Sequence, residues 1–563
     1  MKDGTVDRAW TYRGLLALVL LTVGCAVASA TEPAVDSARP PPDEGTAEFL
    51  SLFAQWQQFE RPVRSGGVPD YTPAAMAAKA AGLVTFRQRL AAIRPTAWPV
   101  ARQVDYKLLR AEMNGLDFSL RVLQPWTRDP AFYRTLETEQ SDTPAHEGPT
   151  SDVLIELWSF GFPLSADSQR RLAEGLRGIP PFLQQARGNL TGNAGDLWTS
   201  GIGTLLAQGE DLKALEGRIA ASTADRGLIK ALHAAEAANA GFVRWLEEQA
   251  PTKTGPSGVG KDNYTWNLRH VHLVPLTWDD EVSILKRELA RAHASLRLEE
   301  QHNRRLPPLV PIASPEEYRR RANEAVSRYI TFLRAQDILE LQDFHDSAMR
   351  AHIGAFVPED RRNFFLIVSH YEPLALFTHF WHWWDHAYME REPNASPLRR
   401  EPLPYNIWDN RSEGMATAVE ELMMHAGLYD DTPRVRELVW IMLAQRCARG
   451  LASLYAQANI FDMKQAKAFQ VRWTPRGWMR PDLDLLGFEQ QLYLRQPGYG
   501  SSYVIGKYLI DETIKDRSAQ LGGEFSLRGF LTEFNRAGVI PVSLIRWQLT
   551  GDDEPIRGIE ASP

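Results

Sequence analysis

Histidines and carboxylates crowd into two short stretches of this 563-residue chain. The first runs from Ser369-His370-Tyr371-Glu372-Pro373 to Phe380-Trp381-His382-Trp383-Trp384-Asp385-His386, and four of the thirteen histidines fall within its span. The second runs from Arg411-Ser412-Glu413-Gly414 to Glu420-Glu421. Read as helix, each residue advances about 100° around the axis. His379, His382 and His386 then lie within roughly 60° of one another on one face. Glu413 and Glu420, seven positions apart, share a face in the same way. Imidazoles from one helix and carboxylates from another are a common cradle for a divalent ion. His382 and His386 also have the H-x-x-x-H spacing of the helical ligands in zinc peptidases. In the usual motif a Glu follows the first His. Here that position is Trp383, and the acid precedes the second His as Asp385, which is closer to the inverted H-x-x-E-H order. A His pair at this spacing also occurs on helices that bind nothing. The carboxylate stretch downstream is what distinguishes this one.

The elements that must position these groups read as helices almost throughout. Leu172, Leu176, Ile179 and Leu183 repeat at helical spacing, and Leu285, Leu289, Ala292 and Leu296 do the same. Ser314-Pro315-Glu316-Glu317 has the residues of a helix start, with Ser as cap and Pro in the first turn. Thr277 to Asp280 reads as a similar box, and Thr432-Pro433 as the opening of a further helix. Runs of alternating β-branched residues are few. The expected class is all-α: a large helical fold with a deep central cleft. Gly- and Lys-rich residues 251–263 mark the boundary between an N-terminal half, 46–255, and a C-terminal half, 256–563, that carries the site.

Residues 1–30 read as a signal peptide: Lys2, Arg8 and Arg13 precede an apolar run, and Ala28-Ser29-Ala30 suits cleavage. Leu21-Thr22-Val23-Gly24-Cys25 offers a second reading, a lipobox with a lipid anchor at Cys25. Both readings export the chain, to the periplasm or as an outer-membrane lipoprotein. Residues 31–45, rich in Pro and acid, read as a flexible tether. Cys25 and Cys447 are the only cysteines, so the mature fold expects no internal disulfide. A net charge of −7 and the lack of a basic, aromatic-interleaved stripe argue against nucleic acid as a partner. The seventeen tryptophans suit a core or a cleft wall for peptides or sugars.

The C-terminal half resembles the domain-of-unknown-function 885 family of bacterial exported proteins and lipoproteins, grouped with zincin-like metallopeptidases. The likeness rests on Glu413-Gly414-Met415-Ala416-Thr417-Ala418-Val419-Glu420, on Pro497-Gly498-Tyr499-Gly500-Ser501-Ser502-Tyr503-Val504-Ile505-Gly506, and on Ala537-Gly538-Val539-Ile540-Pro541. Upstream, Gly260-Lys261-Asp262-Asn263-Tyr264, Leu276-Thr277 and Glu281 resemble the family's middle block. Laid on the family's H-E-x-Y-P-G-H-H, His379 takes the first His and His386 the last. Phe380 falls on the Glu, and Trp383-Trp384 replace the kinking Pro-Gly, so the helix should run straighter. A second register sets His370-Tyr371-Glu372-Pro373 on the motif. The resemblance implies a zincin-like oligopeptidase architecture and a zinc ion held by His379, His382, His386 and Glu413. Asp385 or Glu420 would serve as base and Tyr503 would steady an oxyanion. Arg411 would orient Glu413, bind a substrate carboxylate or form an ion pair. Three outcomes remain open at this point. One is a metal-dependent hydrolase acting on peptides. Another is a pseudo-enzyme or periplasmic binding protein that kept only the pocket. The third is a His/Tyr lyase on acidic sugars.

Overall fold

A computed structural model describes residues 44–561, apart from 142, 144–154, 221–224 and 406. The leader, almost all of the tether and Cys25 lie outside the described residues. Among the described residues β structure is confined to two short ladders. Arg64–Ser65 pairs antiparallel with Val68–Pro69, and Leu136–Glu137 pairs parallel with Ile155–Glu156. The rest is helix and connecting loop, so the protein is all-α.

Local sequence explains where the helices begin. The Thr277 side chain accepts from the Asp280 amide and the Asp280 carboxylate returns the bond, closing a capping box on the Trp278–His302 helix. Ser314 caps the Pro315–Ala335 helix by accepting from Glu317 N. Thr432-Pro433 lies in a turn instead: Val435 N bonds Thr432 O, and the helix runs Val435–Gln457.

The described residues from Gly45 onward pack as one compact unit. Helices Ala166–Asn189, Gly195–Ala220 and Arg226–Gln249 surround one apolar cluster, which includes Leu172, Leu176, Ile179 and Leu183. A larger cluster joins the Val100–Phe118 helix to the C-terminal helices through residues such as Leu108, Leu285, Leu438 and Ile505. Residues 251–263 run from a 3₁₀ turn, Ala250–Thr252, into the Lys261–His270 helix.

Three helices at the centre carry the chemistry. We call Asp409–His425 the Glu helix, Val435–Gln457 the Arg helix and Tyr499–Leu521 the Tyr helix. Every residue from Asp409 to Glu420 is buried, as is every residue from Tyr499 to Lys507. A helix buried on all sides sits inside the molecule rather than on its surface. The Glu and Tyr helices touch backbone to backbone at Gly414 and Gly506. A Cβ on Gly506 would stand 2.0 Å from Asn410 O, and one on Gly414 would stand 2.5 Å from Gly506 carbonyl carbon. Gly506→Ala is therefore expected to destabilise the fold by about 3 kcal/mol, because backbone cannot yield as a side-chain tip can. Urea unfolding of the variant measures this.

The histidine stretch is not one helix. Helix Phe364–Tyr371 ends before Pro373, and Glu372 caps a short new helix, Pro373–Phe377, by accepting from Leu374 N. A 3₁₀ turn, Thr378–Phe380, follows. Only then does the His helix, Trp381–Arg391, begin, and it runs unbroken through Trp383-Trp384. His379 thus precedes the helix that carries His382 and His386.

Candidate metal centre

The two stretches meet in opposite senses. His379 reaches Glu420, His382 reaches Ser412 and Glu413, and Asp385 reaches Arg411. At the middle of this ladder one ligand atom from each of His379, His382 and Glu413 lies within 4.8 Å of the other two. His382 Nε2 is 3.2 Å from Glu413 Oε2, and His379 Nε2 is 3.9 Å from the same oxygen. The imidazoles stand edge to face, 5.1 Å apart at 84°.

Each of the three groups has its second polar atom held. His382 Nδ1 is 3.1 Å from Ser412 Oγ. His379 Nδ1 is 3.0 Å from Glu420 Oε1. The Tyr499 hydroxyl donates to Glu413 Oε1. With Nδ1 bonded in both rings, both Nε2 atoms face Glu413 Oε2. Outer hydrogen bonds of this kind fix tautomer and orientation in metal sites. Burial opposes ionisation of Glu413, but the charge and hydrogen bond of His382, with His379 and Tyr499, hold its carboxyl down at about 2. Burial first, and then the nearby Arg446 cation, lower the pKa of His379. Metal binding needs neutral imidazoles beside an ionised carboxylate, so protons shared with Glu413 would leave the rings as an ion enters.

The Arg helix supplies counter-charges. Arg446 clamps Glu420 with two bonds of 2.8 and 2.6 Å, and its Nη2 also lies 3.1 Å from His379 Nδ1. Arg449 bonds Glu489 at 3.0 Å and lies 3.7 Å over the Tyr503 ring. Tyr503 stands parallel to the His379 ring within 11°, at 6.4 Å.

Two expected members fall outside the group. His386 stacks on Trp383, 5.4 Å away, instead of joining His382. The antiparallel ladder explains this, since one turn beyond His382 the Glu helix has reached its own start. Asp385 is clamped by both terminal nitrogens of Arg411, at 2.7 and 2.9 Å, in a pair that is all but fully buried. The clamp holds Asp385 outside the group formed by His379, His382 and Glu413. Arg411 pairs with Asp385 and not with Glu413. Glu420 touches the centre through His379, where it orients the ring. The second register is structural: His370 Nδ1 bonds Leu366 O at 2.7 Å while its Nε2 accepts from Val357 N, and Glu372 pairs with Arg321 at 2.9 Å. His425 lies 3.5 Å from Glu421 on the exposed side.

Sequence reasoning did not single out Tyr499, Ser412, Arg446 or Arg449. Tyr499 stands one helical turn before Tyr503 and shares its face. Arg446 and Arg449, 0 and 2 % exposed, stand among apolar neighbours such as Leu443, Ala444, Cys447, Ala448 and Leu451, which is itself a signal of buried pairing.

Further along the Glu helix, Glu421 takes Arg291 at 2.7 and 2.9 Å and Lys507 at 3.2 Å. Burial alone would raise its pKa; the hydrogen bonds of Arg291 and the Lys507 charge bring it from 4.5 to about 2. Its folded-state pKa is the lower one, so its stabilisation is complete above 4.5 and disappears as pH falls toward 2. Acid melting curves of Glu421→Gln are expected to fall less steeply across that window than those of the wild type.

No family model matches the sequence, and no curated protein matches it. Solved structures do match. One, from Shewanella oneidensis, is titled a "putative lipoprotein of unknown function"; it is 14% identical, with a TM-score of 0.65 over 89% of this chain and 97% of that one. Another, a "putative lipoprotein" from Colwellia psychrerythraea, is 12% identical, with a TM-score of 0.60 over 90% of this chain and 96% of that one. They share this fold over nearly their whole length.

Proposed function

We propose that the protein is exported and lipid-anchored, and that His379, His382 and Glu413 hold one divalent ion for metal-dependent hydrolysis of peptides. Membership of the domain-of-unknown-function 885 family, with a zincin-like cleft between helical halves, belongs to this reading. The carrying observation is that all three ligands have their second polar atom bonded, to Glu420, Ser412 and Tyr499, while the two Nε2 atoms and Glu413 Oε2 face one another. Two imidazoles and one carboxylate are the donor set of catalytic zinc sites with an open fourth position. Export is supported by the chain's own leader, with Leu21-Thr22-Val23-Gly24-Cys25, and by the lipoprotein titles of two solved structures of this fold.

An ion of this kind supplies Lewis acidity toward water or a carbonyl. The chain's own residues divide the remaining work. Ser412 and Glu420 hold the two ring tautomers. Tyr499 holds Glu413 in orientation. Tyr503 stands beside the His379 ring with the Arg449 cation over its own, and a phenol backed by a cation suits a developing negative charge. Asp385 and Glu420 are both engaged by arginine, so proton transfer falls to solvent or substrate, and turnover should be slow.

A second reading, a metal-free binding protein, is favoured by the Arg446 guanidinium, 3.1 Å from His379 Nδ1. That contact makes Nδ1 an acceptor and turns the Nε2 proton toward Glu413. Metal analysis after dialysis separates the two readings. About one zinc per chain, with chelator-sensitive cleavage of a peptide library, supports the first. A stoichiometry near zero with unchanged stability in chelator supports the second.

A further inference from the structure

A cavity of about 720 Å³ lies where the first apolar cluster meets the second. Its size is that of an ordinary small-ligand site. Tyr71, Phe118, Trp126, Phe132, Phe160 and Tyr405 supply ring surface to its walls. One part of the wall is acidic. Glu60 lines the cavity at the end of the Glu44–Glu60 helix. Behind it stands Glu112, one turn before Gly115 and Leu116, which also line the cavity.

Glu112 is 0 % exposed, and neither of its carboxyl oxygens has a hydrogen-bond partner. Burial first, and then the Glu60 charge, push its pKa well above the carboxylate range, against a smaller opposing pull from the Tyr405 backbone amide. The same two acids and Tyr71 surround the Tyr405 hydroxyl. Tyr405 reaches this place because residue 115 is glycine: a Cβ there would stand 2.4 Å from Tyr405 Cβ. The cations in the wall are engaged or at the rim. Lys79 bonds the carbonyls of Phe59, Glu60 and Arg61 at 2.6, 2.9 and 2.8 Å, closing the end of its neighbouring helix, and its charge also acts on the Glu60 carboxylate. Arg495 bonds Asp129 at 2.7 Å, and exposed Arg171 lies 5.1 Å over the Phe160 ring. His272 is pushed down to about 4 by burial and is neutral. A buried acid with no counter-ion costs stability. Groups of that kind persist where a ligand completes them.

We propose that this cavity binds an organic cation, an amine or guanidinium carried on an apolar body, with the charge received at Glu60 and Tyr405 and backed by Glu112. Aromatic walls take the apolar body, and ring faces around an acidic floor favour a cation over a neutral or anionic group. The chemistry is shared by a peptide's amino terminus and by a lysine side chain within a peptide. The site does not depend on the metal reading, since none of its wall residues is a ligand of the proposed ion.

Isothermal titration of the purified protein tests it, with and without chelator. The probes are phenethylamine, its N-acetyl derivative, the dipeptide amide Phe-Leu-NH₂ and N-acetyl-Leu-Lys-NH₂. Phenethylamine is expected to bind at least about tenfold more tightly than the acetylated form, equally in metal-free protein. Whichever dipeptide binds more tightly identifies the amino terminus or the side chain as the natural source. Glu112→Gln is expected to weaken the amines about tenfold and leave the acetylated probe unchanged, while melting no lower than wild type, because it removes a buried unpaired acid. Equal affinity for amine and acetyl probe, no binding up to about 10 mM, wild-type affinity in Glu112→Gln, or a variant that melts lower and loses both probes alike would each overturn the proposal.

Discussion

His382→Ala is expected to empty the metal centre, lowering bound zinc from about one per chain to near zero, while His386→Ala keeps its ion. The contrast is the point of the experiment. Spacing alone makes His382 and His386 an equivalent pair, four residues apart on one helix. The fold separates them: His382 Nε2 faces Glu413 Oε2 at 3.2 Å, whereas His386 stacks on Trp383. Removing a direct ligand should cost more than about 100-fold in affinity. Ser412→Ala, which frees the far nitrogen of the ring, should cost about 10- to 100-fold. Metal analysis by mass spectrometry reads all three variants. If His386→Ala lost the ion and His382→Ala kept it, the proposed ligand set would be wrong.

Arg411→Met is expected to produce the largest loss of stability of any single change near the site, about 3–5 kcal/mol, since it leaves Asp385 buried without its partner. The pair is 1 and 3 % exposed, and both carboxylate oxygens are engaged. Adding Asp385→Leu to the variant should restore most of the loss, because a buried ion pair exchanged for apolar residues of similar size is close to neutral. Denaturant melts of the two single variants and the double variant measure the coupling. A single variant as stable as wild type would show that Asp385 is free to act elsewhere, and would return it to the list of candidate bases.

The helical class was legible from periodicity, because burial follows the 3.6-residue repeat regardless of tertiary detail. Leu172, Leu176, Ile179 and Leu183 are all buried, as are Leu285, Leu289, Ala292 and Leu296. Capping chemistry is equally local, and Thr277 and Ser314 begin their helices as their sequences imply. The centre was legible in part: His379, His382 and Glu413 do come together. The rest depended on facts that spacing does not carry. A 3₁₀ turn at Thr378–Phe380 changes the rotation between His379 and the later histidines. The antiparallel crossing decides which His meets Glu413. The fate of Asp385 and Glu420 depends on Arg411 and Arg446, which come from 26 positions away in each case. Tyr499 and Tyr503 sit one turn apart in one motif, and spacing does not say which hydroxyl reaches Glu413.

The glycine seam between the Glu and Tyr helices has a consequence for how the centre could ever open. Gly414 follows Glu413 directly, and Gly506 lies on the same helix as Tyr499. With no side-chain cushion between the two backbones, neither rod can slide or roll without a collision. Carboxylate and phenol are therefore pinned into one stiff jaw. The opposite jaw hangs from the short turn before Trp381, where His379 sits, and any breathing that admits a guest must be drawn from that imidazole side.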